Sequence, residues 1–233
     1  MGAILTPPRR RGVEILDSPD VDAEVVTRSL ADVARANALF GGVRSVMEEL
    51  KDVLPDLPRC ATLLDVGTGL GDIPCRAGAF AAEKGIELTT VGLDSALELA
   101  RASRHSVSLG VCGDALHLPF ADRSIDVVMC SQVLHHFVDA DAVRLLREMD
   151  RVARVRVVVS DLRRSWLAAA GLWLVSFPLG FHAVSRHDGV VSVLRGFTPE
   201  ELAVTVRDAI ARKPVVHQRR GFRITASWAP AVR

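Results

Sequence analysis

The feature that most constrains the fold is a glycine-rich turn after a short apolar run, in the segment LLDVGTGLGDIP at residues 63–74. Three of the five positions from Gly67 to Gly71 are glycine. Such clusters mark turns that need a positive φ, or a backbone that a ligand approaches closely. Between a strand and a helix, a turn of this type predicts a nucleotide-binding site at the carboxyl edge of a parallel sheet.

The segments around this turn predict the sheet to which it belongs. Strand-like and helix-like stretches alternate, and strands such as IDVVMC and VRVVVS are almost continuously apolar. Strands of this composition are typical of a parallel sheet with helices on both faces, in an α/β fold. The predicted strands are 61–66, 87–93, 107–112, 125–131 and 155–160, the predicted helices are 72–84, 95–103 and 139–152, and VVHQRRGFRITASWA predicts a final strand pair.

The remaining segments are predicted to be additions to this core. With 233 residues, the chain is long enough for one α/β domain with a full core. Residues 1–20, rich in Pro and Arg, are expected to form a flexible arm. Residues 21–58 are expected to form a helical lid of two helices, broken at Gly41-Gly42, and residues 59–233 the core, with 162–197 as a substrate-pocket insertion.

Composition excludes several classes of protein. The net charge of +1 gives no electrostatic reason to expect a nucleic-acid partner. Four scattered cysteines without a CxxC pair are expected to be buried free thiols, and no metal site is predicted. The apolar stretch 166–184 is interrupted by Gly171, Pro178 and Gly180, so we expect helices around an apolar pocket, with peripheral membrane contact left open. The N-terminus does not read as a signal peptide, so a cytoplasmic location is expected.

The spacing of the glycines distinguishes between nucleotides. The dinucleotide fingerprint GxGxxG requires a third glycine where Asp72 or Pro74 stands, which disfavours a nicotinamide-dependent oxidoreductase, the alternative from another enzyme class. The phosphate loop GxxxxGK[ST] is also absent. The motif that the chain does contain is an acidic residue followed by GxGxG. Further acids end the next two predicted strands, Asp94 in GLDSALELAR and Asp114 in CGDALHLPF.

This ordered series resembles the class I S-adenosylmethionine-dependent methyltransferases over about residues 60–161. The turn followed by Asp-Ile-Pro is similar to that of quinone-biosynthesis C-methyltransferases in particular. The resemblance implies a Rossmann-like fold with a mostly parallel seven-stranded sheet, and S-adenosyl-L-methionine as the cofactor. It places Asp65, the glycines and Gln132 around the methionine portion, Asp94 on the ribose and Asp114 on the adenine. The full set predicted to bind the cofactor is Asp65, Gly67, Thr68, Gly69, Gly71, Asp94, Ser95, Gly113, Asp114, Ala115, Ser131 and Gln132.

The chain departs from this family in one place. A Pro-Gly-Gly turn is common before the fifth strand, whereas DRVARVRVVVSD closes directly here, so the edge of that strand is not defined by the sequence.

Two adjacent histidines and an aspartate are the catalytic candidates. His135 and His136 follow the fourth predicted strand, and Asp161 ends the fifth. A phenol with a pKa near 10 is protonated at neutral pH, so its methylation needs a base. Asp161 could orient one imidazole, an arrangement that resembles the base–acid pair of some small-molecule O-methyltransferases. A purely local structural role for both histidines is the alternative.

Segments 185–202 and 37–42 resemble those of bacterial methyltransferases that accompany type III polyketide synthases and act on phenolic lipids. This resemblance suggests a small, apolar, aromatic acceptor, with O-methylation of a phenolic or polyketide-type hydroxyl. C-methylation of a quinone or arene precursor is the alternative within the class. The predicted substrate-binding residues are Arg186, His187, Arg195, Trp173 and Phe177, with Asp188, Trp166 and Phe181 as further candidates, although a salt-bridge cluster and a packed core would account for them equally.

Overall fold

The computed structural model describes residues 6–18 and 20–231. Seven strands form one sheet: β1 (Cys60–Val66), β2 (Glu87–Asp94), β3 (Leu109–Cys112), β4 (Ile125–Ser131), β5 (Ala153–Leu162), β6 (Val215–Arg219) and β7 (Arg223–Trp228). Their order is β3-β2-β1-β4-β5-β7-β6. The first five strands are parallel, and β7 runs antiparallel to both β5 and β6. The predicted mostly parallel, seven-stranded sheet is therefore confirmed.

Helices cover both faces of this sheet. They are α1 (Ala23–Leu39), α2 (Gly42–Val53), α3 (Asp72–Ala82), α4 (Leu97–Ala102), α5 (Asp139–Val152), α6 (Trp166–Ser176), α7 (Ala183–Arg195) and α8 (Pro199–Ile210). Apolar side chains of α2 and α3 pack on one face, around Leu63 and Met129. Those of α5 and α8 pack on the other, around Leu64 and Val128. Neighbouring strand residues thus contribute to opposite cores, which explains why the strands are apolar throughout.

Local sequence determines several of the boundaries. Helix α8 begins at a capping box, in which the Thr198 hydroxyl accepts from the Glu201 backbone and the Glu201 carboxylate accepts from the Thr198 backbone. Strand β5 begins at Ala153, directly after the last residue of α5, so no turn separates them. The predicted strand 155–160 is accordingly longer at both ends, and the predicted helix 95–103 is shorter.

The N-terminal segments differ from the predicted arm and lid. Within residues 6–18, the Ile15 and Leu16 amides donate to Asp188 of α7, and Pro7 accepts from the buried Arg164 guanidinium, so this part of the arm is packed on the core. Of the two predicted lid helices, α2 belongs to the core of the sheet, whereas α1 stands over its carboxyl edge.

Two further expectations concern the cysteines and the apolar stretch. Cys130 is buried, but Cys60, Cys75 and Cys112 are exposed free thiols, so the prediction of burial is wrong for three of the four. The apolar stretch 166–184 forms α6, the connection that follows it and the first residues of α7, and α6 packs against α7. Within the described residues, no helix combines the length and the apolar character that crossing a membrane requires.

Candidate active site

A cavity of about 730 Å³ opens at the carboxyl ends of β1, β4 and β5. The glycine-rich turn and the loop after β4 form its polar side. Helices α1, α6 and α7 form its apolar side, as the sequence predicted for the 166–184 stretch. The apolar side chains in its wall include Leu30, Val33, Leu167, Leu172, Val175, Phe181 and Val193.

The glycine-rich turn has a conformation that other residues adopt only with strain. Gly67 and Gly69 have φ values of 74° and 55°. A Cβ on Gly67 would lie 2.4 Å from the Val133 side chain, so this position accepts only glycine. A Cβ on Gly69 would meet nothing within 4 Å, because the residue faces the open cavity. The turn therefore exposes bare backbone to whatever occupies the cavity.

Buried polar atoms at this turn and at the neighbouring end of β4 are unsatisfied, among them Thr68 Oγ1. Asp65 Oδ1 and Ser131 Oγ have no hydrogen-bond partner among the described residues, although both residues line the cavity. Burial raises the pKa of Asp65 to about 8. A buried carboxyl oxygen without a hydrogen-bond partner is costly unless a ligand supplies one, and Asp65 lines the same cavity as the open backbone of Gly69.

Asp94 at the end of β2 fixes the turn from the opposite side. Its Oδ2 accepts from the Gly69 amide at 3.0 Å and its Oδ1 from the Ala96 amide at 3.0 Å. The carboxylate also lines the cavity, together with Ser95 and Thr68. The Asp94 carboxylate can therefore accept hydrogen bonds from further hydroxyl groups, such as those of the ribose that the family resemblance implies.

Gln132, after β4, adopts an unusual backbone conformation at the centre of the site. Its φ is 58°, and its amide donates to the Ser160 carbonyl at 2.8 Å. Its side-chain amide donates to Asn37 of α1. Non-glycine residues in this region are often held there for function. The contact joins α1 to the loop after β4, and Asn37, the first residue of segment 37–42, is not among the predicted site residues.

His135 and Asp161 form a buried pair on the same wall. Asp161 Oδ1 lies 2.6 Å from His135 Nδ1, and Oδ2 accepts from the His135 amide at 3.1 Å. Burial opposes ionisation of Asp161, but the charge and hydrogen bond of His135 lower the pKa of the carboxyl on balance. A carboxylate at this distance holds the proton on Nδ1 and leaves Nε2 as the basic nitrogen. Nε2 is buried without a hydrogen-bond partner, and the residue lines the cavity.

His136 lies in a different electrostatic environment. Its Nδ1 is 3.3 Å from Asp17, and Glu14 lies 3.8 Å from its Nε2. Burial acts against protonation, but Asp17, Glu14 and Asp161 together raise the pKa of His136. The hydrogen bond from His136 in turn lowers the pKa of Asp17 to about 2. His136 is therefore protonated more readily than an ordinary imidazole, because two carboxylates face it. This makes it a weaker candidate for the base.

Glu14 joins the two histidines, and sequence reasoning missed it because the N-terminal segment carries no motif. Its Oε1 lies 3.7 Å from His135 Nε2 and 2.9 Å from Arg195 Nη1. Glu14, His135 and His136 offer ligand atoms within 4.8 Å of one another. The guanidinium of Arg195 already neutralises Glu14, which disfavours a metal cation at this position.

Several predicted site residues lie outside the cavity wall. Gly71, Gly113, Asp114 and Ala115 are not among the lining residues, and the Asp114 carboxylate binds His117 and the Leu116 amide. Gly71 instead caps the start of α3 with a φ of 76°. The predicted substrate-binding residues Arg186, His187, Arg195, Trp173 and Phe177 also lie outside the wall, whereas Asp188 and Phe181 belong to it.

Sequence comparisons identify the family of the domain. Residues 64–159 match the family model for a methyltransferase domain. The chain is 33% identical to a demethylmenaquinone methyltransferase of Roseiflexus sp. (strain RS-1), over 84% of this chain and 88% of that protein. A second demethylmenaquinone methyltransferase, from Roseiflexus castenholzii (strain DSM 13941 / HLO8), is 31% identical with the same coverage.

Solved structures show the same fold. A SAM-dependent methyltransferase from Aquifex aeolicus has a TM-score of 0.62 at 14% identity, covering 87% of this chain and 97% of that chain. The orphaned Asp65 oxygen, the open backbone at Gly69 and the Asp94 carboxylate fit S-adenosyl-L-methionine, whose ammonium group, sulfonium and ribose hydroxyls need such partners. The nicotinamide-dependent oxidoreductase is thereby set aside. The chain belongs to the class I S-adenosylmethionine-dependent methyltransferases and acts on a small molecule.

Proposed function

We propose that this methyltransferase transfers the methyl group to a ring hydroxyl of a phenolic or polyketide-type acceptor. The observation that carries the proposal is the buried His135–Asp161 pair: His135 lines the cavity, and its Nε2 has no hydrogen-bond partner among the described residues. The cofactor supplies an electrophilic methyl group when bound. The protein must then orient the acceptor and remove the hydroxyl proton.

His135 performs the proton removal in this proposal. Nε2 accepts the proton of the acceptor hydroxyl, and the positive charge that develops on the ring is stabilised by Asp161 at Nδ1. The pair is almost completely removed from solvent, so the interaction is weakly screened. Glu14 Oε1 faces Nε2 at 3.7 Å, and the same oxygen is paired with Arg195 Nη1 at 2.9 Å. The apolar wall formed by α1, α6 and α7 suits an aromatic ring with an apolar substituent.

C-methylation of a quinone-type ring is the second candidate, because the Roseiflexus relatives are named demethylmenaquinone methyltransferases. The same base serves this reaction, since ionising a ring hydroxyl raises the electron density at the neighbouring ring carbons. A panel of phenols and reduced naphthoquinones, incubated with S-adenosylmethionine carrying a ¹³C-methyl group, tests both. The carbon chemical shift of the product distinguishes a methoxy group from a ring methyl, and absence of any methylated ring product contradicts the proposal.

Peripheral contact with a membrane belongs to the same proposal. Trp166, Trp173, Leu174 and Phe177 lie on one side of α6 and are each 40% to 60% exposed, while residues 165–185 carry no Asp, Glu, Lys or Arg. The charged groups at the rim of this face are arginines, with Arg10 over the Trp166 ring and Arg186 over the Phe177 ring. Exposed aromatic residues beside cationic groups suit an anionic lipid surface.

The exposed face of α6 is continuous with the cavity. Leu167 and Val175 are both exposed to solvent and part of the cavity wall, so an apolar acceptor could pass from lipid directly into the site. Co-sedimentation with vesicles that contain anionic lipid tests this contact. The variant Trp173→Ser/Phe177→Ser should lose most of the binding, whereas Val215→Ser, which alters an equally exposed residue on β6, should retain it.

A further inference from the structure

Arg223 contributes a guanidinium to the cavity from strand β7. It is the first residue of β7 and pairs with Leu162 at the carboxyl end of β5. Both residues line the cavity, although Arg223 as a whole is only 3% exposed. The antiparallel strand β7 thus delivers a basic side chain to the edge of the sheet where the cofactor motifs end.

The Arg223 guanidinium is incompletely satisfied. Its Nε donates to the Phe40 carbonyl at 3.2 Å, while Nη1 is buried without a hydrogen-bond partner among the described residues. Within that part of the chain no carboxylate pairs with it, although the charge of Asp161 acts on it from a distance. Burial lowers the pKa of Arg223 to about 10, which still leaves it charged at neutral pH. A buried, unpaired charge is expensive to maintain, so its retention points to a ligand.

The charges of the cavity wall indicate which ligand group Arg223 would bind. Arg223 is the only Arg or Lys among the lining residues that the structure describes. The acidic lining residues are Glu14, Asp17, Asp32, Asp65, Asp72, Asp94 and Asp188. A ligand carboxylate entering this cavity therefore has one guanidinium available to it, and every other charged group of the wall except a protonated histidine would repel it.

The position of Arg223 is compatible with the methionine end of the cofactor. Phe40, whose carbonyl holds the Arg223 Nε, caps α1 three residues after Asn37. Positions three apart on a helix are neighbours, and Asn37 contacts Gln132 of the cofactor-binding motifs. Arg223 is therefore linked through Phe40 and Asn37 of the α1 C-terminus to Gln132, the residue that the family resemblance places near the methionine portion.

We propose that Arg223 is an oxyanion-binding site within the cavity, which binds a ligand carboxylate through Nη1. Two sources carry this chemistry. One is the α-carboxylate of the cofactor, and the other is an acidic oxygen on the acceptor, a source that rests on the proposed function. Both sources require the Arg223 guanidinium to bind a carboxylate. They differ in which ligand, the cofactor or the acceptor, loses affinity when the guanidinium is removed.

Calorimetric binding to Arg223→Met distinguishes the two sources without any turnover measurement. The first pair of probes is S-adenosylhomocysteine and 5′-methylthioadenosine, which share the nucleoside and the thioether but differ in the carboxylate. The second pair is 4-hydroxybenzoate and 4-hydroxybenzamide, titrated in the presence of saturating S-adenosylhomocysteine. Loss of a charge-assisted hydrogen bond in a buried site should weaken binding at least about tenfold. A loss for S-adenosylhomocysteine but not methylthioadenosine assigns the cofactor carboxylate, and a loss restricted to hydroxybenzoate assigns the acceptor.

Two further variants keep the test decisive. Arg156→Met removes a partly buried arginine of β5 that pairs with Asp56 outside the cavity, and it should change neither pair of affinities. Arg223→Lys retains the positive charge and should recover part of the lost affinity. If thermal unfolding shows that Arg223→Met does not fold, Arg223→Lys takes its place in the binding test. The proposal is overturned if the substitution at Arg223 weakens the charged and uncharged members of each pair equally, or weakens neither.

Discussion

Replacing His135 with alanine tests the proposed base directly. The substitution removes the ring nitrogen that lies beside Asp161 Oδ1 and leaves the glycine-rich turn unchanged. It also removes the imidazole partner of a carboxylate that is completely buried, although Asp161 still accepts from the backbone amides of positions 135 and 162. We therefore expect a loss of stability of about 1–3 kcal/mol, which thermal unfolding will measure before any assay.

The expected loss of turnover follows from the ionisation of the acceptor. A phenol with a pKa of about 10 is about 0.1% ionised at pH 7 and about 10% ionised at pH 9. Without a base, only the ionised fraction reacts. His135→Ala should therefore lower kcat about 10³-fold at pH 7 and only about 10-fold at pH 9, within the range of general base catalysis.

The assay is initial-rate methylation of a phenol that the wild-type protein accepts, from pH 6 to pH 9.5, with S-adenosylhomocysteine affinity measured in parallel. His136→Ala serves as the matched control, because it alters the adjacent imidazole while leaving the His135–Asp161 pair intact. The reasoning is refuted if His135→Ala has wild-type turnover at neutral pH, or if its deficit is the same at every pH. A large, pH-dependent deficit in His136→Ala alone would transfer the role to that residue.

The remaining predictions concern the cofactor turn and the N-terminal segment. Asp94→Ala should weaken S-adenosylhomocysteine binding at least about tenfold, since it removes a ribose partner and the acceptor for the Gly69 amide; unchanged calorimetric affinity would contradict the ribose assignment. Burial raises the pKa of Asp65 from 3.8 to about 8, so between these values the folded chain keeps a proton that the unfolded chain has lost. The melting temperature of the ligand-free protein should therefore fall as the pH rises from about 4 to about 8, and Asp65→Asn should flatten that slope. Deleting residues 1–20 removes Glu14 and Asp17, and should reduce turnover far more than cofactor affinity; equal losses would indicate that the segment serves folding instead.

The features that could be predicted from the sequence are those determined by residues close together in the chain. The glycine spacing and the acids at the carboxyl ends of β1 and β2 lie within one stretch of chain, and alternating apolar strands and helices determine the parallel sheet. The His135–Asp161 contact was also accessible, because parallel neighbouring strands end at the same edge.

Contacts between segments far apart in the chain could not be predicted from the sequence. Glu14 reaches His135 from a segment without periodicity, and Arg223 reaches the cavity only because β7 inserts beside β5. For Arg195 the sequence left substrate binding and a salt-bridge cluster equally open; its guanidinium pairs with Glu14 and Asp17, and these partners depend on where the N-terminal segment packs. Exposure of Trp173 and Phe177 likewise depends on which side of an entirely apolar helix meets the core, and the sequence of α6 has no polar face that would decide it.

The placement of β7 between β5 and β6 has a consequence for how the chain folds. Of the seven strands, β7 is the last in chain order, yet it covers the edge of β5, whose Val157 and Val159 are fully buried. Until β7 is in place, β5 presents a free, apolar edge of the kind that templates aggregation. Pairings between segments far apart in the chain also form slowly. Fragments that stop before residue 215 should therefore be insoluble rather than merely inactive, and chaperone demand during synthesis should be concentrated in the interval between β5 and β7.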